Sequence, residues 1–192
     1  MPDRPNWPGT LAGERLRRTI AERRESRRRL KLLVLAGLAA APVAAIAYWK
    51  VPAVLVWNAS ASAPVGLYWI SPNSAVRRGD MVVARVPQPV RSLAAARRYL
   101  PANVPLVKRV AAAKADRLCA RGPDIRINGR LASIRLERDP AGRPMPWWTG
   151  CATLGPDELF LLTDSRLSFD GRYFGVTRKS DVLGRAQLLW AL

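Results

Sequence analysis

Histidine is absent from the 192-residue sequence, and cysteine occurs only twice. Without imidazole, no serine of this chain can act in a Ser-His-Asp arrangement, where histidine takes the hydroxyl proton. A structural zinc site is excluded too, because two thiolates cannot supply its four ligands. Metal catalysis would need an all-carboxylate site and is not expected, nor is any other cofactor. A catalytic serine would therefore need lysine or a carboxylate as its base.

Acidic residues are scarce, with 14 Asp and Glu against 32 Lys and Arg, and the formal charge is +18. Such a charge attracts nucleic acids and anionic lipids alike. Residues 1–31 carry ten Lys or Arg and four Asp or Glu, and the other cations are dispersed. No basic stripe interleaved with aromatic residues is present. We therefore expect solubility or attraction to acidic surfaces, and no specific nucleic-acid partner.

One long uncharged run, LLVLAGLAAAPVAAIAYW at residues 32–49, interrupts this basic sequence. Its eighteen residues would span about 27 Å as a helix, close to the roughly 30 Å hydrocarbon core of a bilayer. A buried core helix or a cleaved signal peptide would also fit the run. Because 31 residues precede it, we expect a retained transmembrane signal anchor in contact with inner-membrane lipid.

The charges beside this run predict its orientation. RRESRRRLK at residues 23–31 has six cations, whereas after Lys50 no Lys or Arg follows until Arg77. The positive-inside rule places residues 1–31 in the cytoplasm as a basic tail and residues 50–192 outside, in the periplasm of a bacterium. In a reducing compartment Cys119 and Cys151 would be unrelated thiols, but in this oxidising one we expect a disulfide.

Residues 50–192 read as one mainly β domain with a small helical insertion. Short runs rich in branched residues, bounded by Gly, Pro or Asp, predict strands. Asn128-Gly129 predicts a two-residue hairpin turn, which requires positive φ at both positions. The helix is predicted at RSLAAARRYL, residues 91–100. The predicted strands are MVVARV (81–86), LVKRV (106–110), DIRING (124–129) and ELFLL (158–162).

Three stretches carry side chains suited to catalysis. NASASAPVGLYWI, residues 58–70, places Ser62 before a Pro- and Gly-containing bend. In LVKRV, strand alternation puts Lys108 on the face of Leu106 and Val110. Such a lysine either extends to water with its charge or is buried and neutral, and only a pKa lowered from about 10.4 to about 7–8 would make it a base. TDSRLSFDGRYFG, residues 163–175, is an ordinary turn sequence or a support for that base.

The ordered set SASAPVGLY, LVKRVAAAKAD, DELFLLTDSRLSFDGRYFG and VLGRA, behind an anchor, resembles the signal peptidase family of Ser-Lys membrane proteases. Typical members have a Ser-x-Met-x-Pro-like first box. This chain lacks the methionine and shifts the proline, and in that it resembles the conjugative-transfer branch, the TraF-type peptidases. The resemblance covers about residues 57–188 and implies a signal-peptidase-like β-rich catalytic domain.

The resemblance also implies roles for individual residues. Ser62 corresponds to the nucleophile, Lys108 to the general base, and Ser168 to the hydroxyl that orients the lysine. Asp170 and Arg172 match the supporting ion pair, with Asp164 as the other acidic candidate. Ser60 competes for the nucleophile role or that of an oxyanion donor.

A partner follows from the same resemblance: an exported precursor, namely the pilin of a conjugative transfer (type IV secretion) system. The pilin would be cleaved after small residues, and the acyl-enzyme would be resolved by water or, in cyclisation, by an amine. Two alternatives remain open. One is a general signal peptidase serving all exported proteins, and the other is a non-catalytic membrane scaffold that binds DNA or anionic lipid.

Overall fold

The computed structural model describes residues 23–25, 27–42 and 54–192. The chain divides into two compact units, Met1–Val51 and Pro52–Leu192. In the first unit, residues 27–42 form helix α1, and residues 23–25 are also helical.

The predicted anchor, residues 32–49, and the predicted basic tail, residues 1–31, both fall within this first unit. Within the described part of the chain, no helix is both long enough and apolar enough to span a bilayer. Residues 43–49 of the predicted anchor lie outside the described residues, as do residues 1–22 and 26 of the predicted tail.

The second unit consists mainly of antiparallel β-strands, as predicted. Seven strands form one sheet in the order β1-β2-β11-β3-β4-β9-β10, and four form another in the order β7-β6-β5-β8. The strands are β1 (Leu55–Asn58), β2 (Gly66–Ser71), β3 (Met81–Ala84), β4 (Leu106–Ala112), β5 (Arg117–Arg121), β6 (Asp124–Ile127), β7 (Arg130–Ile134), β8 (Gly150–Thr153), β9 (Glu158–Leu162), β10 (Thr177–Arg178) and β11 (Val182–Ala191).

Strand β4 lies in the interior of the larger sheet, paired with β3 on one side and β9 on the other. Buried residues lie on both of its faces, because Leu106, Val107 and Val110 all belong to apolar clusters. Arg109 is exposed. Lys108 is therefore carried by a rigid central strand.

The smaller sheet contains the predicted hairpin and the predicted disulfide. Asn128 and Gly129 join β6 to β7 with φ values of 51° and 81°, as a two-residue turn of this kind requires. Cys119 on β5 lies directly opposite Cys151 on β8, and their sulfur atoms are bonded. Their Cα atoms are 4.1 Å apart, and the bond closes a sequence separation of 32 residues. The disulfide therefore joins β5 to β8, which are the first and the last strand of the smaller sheet in chain order.

The helical insertion differs in its bounds from the prediction of residues 91–100. Helix α2 spans Gln88–Ala96, because a proline in its first turn is already set for helical geometry. It ends before Arg98, whose φ of 59° is left-handed. Tyr99 then turns inward onto Phe169, with 5.0 Å between ring centroids. The packing of Tyr99, which a local pattern does not reveal, ends the helix early.

Candidate active site

Ser62 lies in the loop of residues 59–65 between β1 and β2, and buried Asn58 holds this loop from within. The Nδ2 of Asn58 donates to the carbonyl oxygens of Ser60, Ala63 and Pro64 at 3.0, 3.2 and 3.0 Å. Its Oδ1 accepts from the Ser60 backbone N–H at 3.1 Å. One side chain thus replaces the backbone hydrogen bonds that an irregular loop lacks.

The end of the same loop is fixed by Tyr68 and Gly66. The buried Tyr68 donates its hydroxyl proton to the Pro64 carbonyl at 2.9 Å. Gly66 has φ 155°, and a Cβ there would overlap the carbonyl oxygen of Trp190 on β11. Only glycine permits this close approach, so the bend expected from Pro64 and Gly66 is set by a neighbouring strand.

The Lys108 amine lies between two hydroxyl groups. Its Nζ is 2.8 Å from the Oγ of Ser62 and 2.7 Å from the Oγ of Ser168. The residue is only 3% exposed, so the ammonium does not extend to water, and the buried alternative is the one observed. Three side chains from distant parts of the sequence therefore meet at one nitrogen atom.

Burial lowers the pKa of Lys108 from its ordinary 10.5 to about 8. The nearby Asp170 carboxylate opposes this shift of the pKa, and the Arg172 guanidinium adds to it. A charged amine loses hydration when it is buried, and the neutral form becomes accessible near physiological pH. Neutral Lys108 could accept the Ser62 proton over the observed distance.

Asp170 and Arg172 form a buried ion pair behind Ser168. They are 0% and 1% exposed, and Nη2 of Arg172 lies 2.7 Å from Oδ2 of Asp170. Arg172 also donates to the carbonyl oxygens of Thr163 and Ser165 at 2.8 and 2.7 Å. This pair, predicted as a support, fixes both ends of the loop that carries Ser168.

Asp170 is the N-cap of helix α3 (Gly171–Phe174), and its side chain accepts a hydrogen bond from the Arg172 backbone N–H. A Cβ at Gly171 would lie 2.8 Å from the carbonyl oxygen of Leu161 and 2.7 Å from the ring of Phe160. The glycine therefore allows the start of α3 to reach β9. Asp164, the other acidic candidate, is exposed and lies on the outside of this loop.

Ser60 lies beside Ser62 rather than against the lysine. Its Oγ is 2.9 Å from the Oγ of Ser62 and accepts the Ser62 backbone N–H at 3.3 Å. Both the hydroxyl group of Ser60 and the N–H of Ser62 thus lie beside the Ser62 Oγ, next to the place where the carbonyl oxygen of an attacked peptide would become an oxyanion. Lys108 contacts Ser62, so this geometry favours Ser62 as nucleophile and Ser60 as oxyanion donor.

A groove of about 930 Å³ opens over these residues, and Ser62, Lys108 and Ser168 form part of its lining. Most of the lining is apolar, including Val56, Trp57, Val104, Leu136, Met145 and Leu167. An apolar groove of this size, with a few polar groups at one place in its lining, has the properties of a ligand-binding cleft.

Neither Asn58 nor Tyr68 was among the residues for which the sequence predicted a role. A signal for Asn58 was available, since Asn side chains commonly bond to backbone two residues further along. Tyr68 bonds to Pro64, only four residues away. In the sequence, however, a tyrosine in an alternating strand has the same pattern as an ordinary core residue.

We predict that Asn58→Ala lowers kcat by roughly 10–100-fold, because the three carbonyl oxygens lose their donor and Ser62 loses its fixed position. Asn58→Asp should do no better, since a carboxylate cannot donate to those carbonyls. Steady-state kinetics on a peptide substrate would measure the loss, with Asn73→Ala in the exposed β2–β3 connection as control. Activity within about twofold of the wild type would contradict this role for Asn58.

Comparison with known proteins identifies the class to which this fold and site belong. The model of the family described as signal peptidase, peptidase S26, matches residues 26–191. The chain belongs to this family, and it is a serine peptidase of the signal peptidase type. The predicted family and the mainly β, signal-peptidase-like fold are confirmed.

Two similar proteins have a more specific name than the family does. Two Escherichia coli proteins named plasmid transfer protein TraF are each 38% identical to the chain, over 173 and 161 residues. The first alignment covers 83% of this chain and 96% of the relative, the second 78% and 88%. The crystal structure of an Enterococcus faecalis signal peptidase I matches 58% of this chain and 97% of its own, at 20% identity and a TM-score of 0.35.

Proposed function

We propose that this protein is a membrane-anchored Ser-Lys endopeptidase that processes an exported precursor of a conjugative transfer system. The observation that carries the proposal is the buried Lys108 amine, 2.8 Å from the Ser62 hydroxyl oxygen. Because the chain has no histidine, a serine nucleophile needs another base, and the Lys108 amine is in place to act as that base.

The reaction would begin with neutral Lys108. Its amine takes the Ser62 proton while Oγ attacks the scissile carbonyl, and negative charge moves to the carbonyl oxygen. The Ser62 N–H, which donates to the Ser60 Oγ at 3.3 Å in the free protein, would exchange that partner for the new oxyanion, and the Ser60 hydroxyl group would donate to it as well. Each donor of this type contributes about 3–4 kcal/mol. Protonated Lys108 then gives its proton to the departing amine, and an ester to Ser62 remains.

The second half of the reaction would resolve this ester. Lys108, neutral again, takes a proton from water, whose oxygen attacks the ester carbonyl. Collapse of the intermediate breaks the bond to Ser62 Oγ, which recovers its proton from Lys108, and a carboxylic acid leaves. An amine as attacking group would instead form a new amide, which is the step required for cyclisation. Ser168 holds Nζ in line through both halves.

The substrate that we propose is a pilin precursor. The similarity to plasmid transfer proteins over most of the chain supports this context, as does the apolar groove beside Ser62. Mass spectrometry of a candidate pilin expressed with and without this protein tests the proposal. A product cut after a small residue, present only with the active protein, is expected; an unchanged precursor would contradict it.

A general signal peptidase would act on many precursors. Complementation of a strain depleted of its housekeeping signal peptidase distinguishes this alternative, since we expect no rescue. Rescue of growth would favour the general enzyme, with Ser62 and Lys108 in the same roles.

We also propose that the second unit acts at the periplasmic face of the inner membrane. An exposed aromatic face supports this location: Trp57, Trp69 and Trp190 are 48%, 43% and 61% exposed, and tryptophan favours membrane interfaces. The disulfide between Cys119 and Cys151 supports an oxidising compartment. Alkaline phosphatase fused after Leu192 should be active; an inactive fusion with an active cytoplasmic reporter would reverse the topology.

A further inference from the structure

Arg135 is an arginine buried deep inside the second unit. It follows β7 and is only 2% exposed. Its guanidinium lies over the Trp147 ring, 4.3 Å from the centroid. Among the described residues, no carboxylate oxygen lies within 4.0 Å of its nitrogen atoms. Burial of an unpaired cation costs several kcal/mol, so its backbone contacts must compensate for this cost.

Those contacts reach three separate segments. Nε and Nη2 donate to the Gly122 carbonyl at 3.0 and 2.8 Å, in the turn between β5 and β6. Nη1 donates to the Trp148 carbonyl at 2.8 Å and, at a longer 3.4 Å, to the Arg172 carbonyl in α3. A planar group with five donors can bond to several carbonyls at once, which an ammonium group cannot do in this geometry.

The neighbours of Arg135 reinforce its connection to α3. The Leu136 backbone N–H donates to the hydroxyl oxygen of Tyr173 at 3.0 Å. The Trp148 indole N–H donates to the Gly171 carbonyl at 3.0 Å. Each of these partners lies next to a contact that Arg135 makes itself. Arg135 therefore lies at the junction where the smaller sheet holds α3.

Asp170 caps helix α3, and the Asp170–Arg172 pair in turn fixes the loop of Ser168. Ser168 bonds to the Lys108 amine at 2.7 Å. Arg135 donates to the Arg172 carbonyl, and the Arg172 side chain and the Ser168 backbone N–H both donate to the Ser165 carbonyl, so that hydrogen bonds and short pieces of chain together lead from Arg135 to the base. Arg135 itself is not part of the groove lining, so it has no place in substrate contact.

We propose that Arg135 is a positioning residue for the catalytic base: by fixing α3 to the smaller sheet, it holds Ser168 and the Asp170–Arg172 pair against Lys108. This inference rests on the proposed function, because it assigns Arg135 a role in the Ser62–Lys108 chemistry. This role distinguishes Arg135 from the many exposed arginines of this chain. Without Arg135, α3 would loosen and water would reach the lysine.

The test compares Arg135→Met and Arg135→Lys with Arg126→Met, an exposed arginine of the same small sheet, as matched control. For Arg135→Met we expect kcat to fall on the order of 10–100-fold with KM within about twofold of the wild type, since the groove is intact. Arg135→Lys should retain more of the wild-type kcat than Arg135→Met does. The control Arg126→Met should have the kcat of the wild type.

The distinguishing readout is the titration of Lys108. Burial is the main cause of its lowered pKa, so looser packing in Arg135→Met should raise that pKa from about 8 towards 10.5. The acid limb of the kcat/KM profile would then move to higher pH. The NMR titration of the Lys108 side chain in Ser62→Ala and in Ser62→Ala/Arg135→Met measures the same shift without catalysis.

An unchanged titration midpoint in the folded double variant would overturn the proposal, as would a loss confined to the amount of folded protein with wild-type kcat and pH profile. If the wild-type protein cleaved no precursor, the proposed peptidase function would fail, whereas the NMR comparison would still decide whether Arg135 positions Lys108.

Discussion

Lys108→Met is expected to lower kcat/KM for precursor cleavage by at least about 10⁴-fold, because Ser62 then has no group to accept its proton. Methionine has a similar volume but no basic nitrogen. The chain has no histidine to substitute, and Asp170 is engaged by Arg172, 2.7 Å away. Steady-state kinetics with Lys114→Met, an exposed lysine in the β4–β5 connection, provide the matched control.

Stability separates this loss from unfolding. A lysine whose folded pKa lies near 8, below the ordinary 10.5, destabilises the folded state below pH 8, and this penalty is relieved as pH rises towards 10.5. Lys108→Met removes a penalty of about 3 kcal/mol at pH 7 but leaves the buried Ser168 hydroxyl without its partner, at about 1–3 kcal/mol. The free energy of unfolding should therefore change little. A folded Lys108→Met protein that still cleaved substrate would refute a lysine base.

Ser62→Ala should cause a loss as large as Lys108→Met, whereas Ser60→Ala should cost about 10²–10³-fold in kcat. The difference follows from their positions: Ser62 contacts the Lys108 amine at 2.8 Å, and Ser60 reaches only the Ser62 hydroxyl group and backbone N–H. Ser62 supplies the attacking oxygen, and Ser60 one of two oxyanion donors. Ser180→Ala, on the exposed surface, is the control.

Mass spectrometry makes the same comparison covalently. Wild-type and Ser60→Ala proteins should form an ester at Ser62 with a slowly resolved substrate, and Ser62→Ala should form none. An ester at Ser60, or activity retained in Ser62→Ala and lost in Ser60→Ala, would exchange the two roles.

Much of the site could be predicted because local patterns determine it. Alternation along LVKRV placed Lys108 on a buried face, and only full burial could give its amine a useful pKa. Asn128-Gly129 determined a hairpin because few residues accept positive φ in succession. The cysteine pair required only an oxidising compartment to form a bridge.

Other features depend on contacts between distant segments. Asp164 was a second acidic candidate for the supporting role, yet of the two carboxylates Asp170 is the buried one, because Gly171 lets the start of α3 approach Leu161 on β9. Arg135 resembles any other arginine in a strongly basic chain until Gly122, Trp148 and α3 assemble around it. These contacts join residues far apart in the chain, so a local sequence pattern cannot predict them.

The central claim is that Lys108 becomes neutral near physiological pH while in contact with Ser62. Its direct test is an NMR titration of the Lys108 side chain with ¹³C at Cε, assigned by comparison with Lys108→Met. We expect a pKa of about 8 for Lys108, with the midpoint of the acid limb of kcat/KM at the same pH. A pKa at the ordinary 10.5, with a rate independent of pH from about 5 to 9, would contradict it.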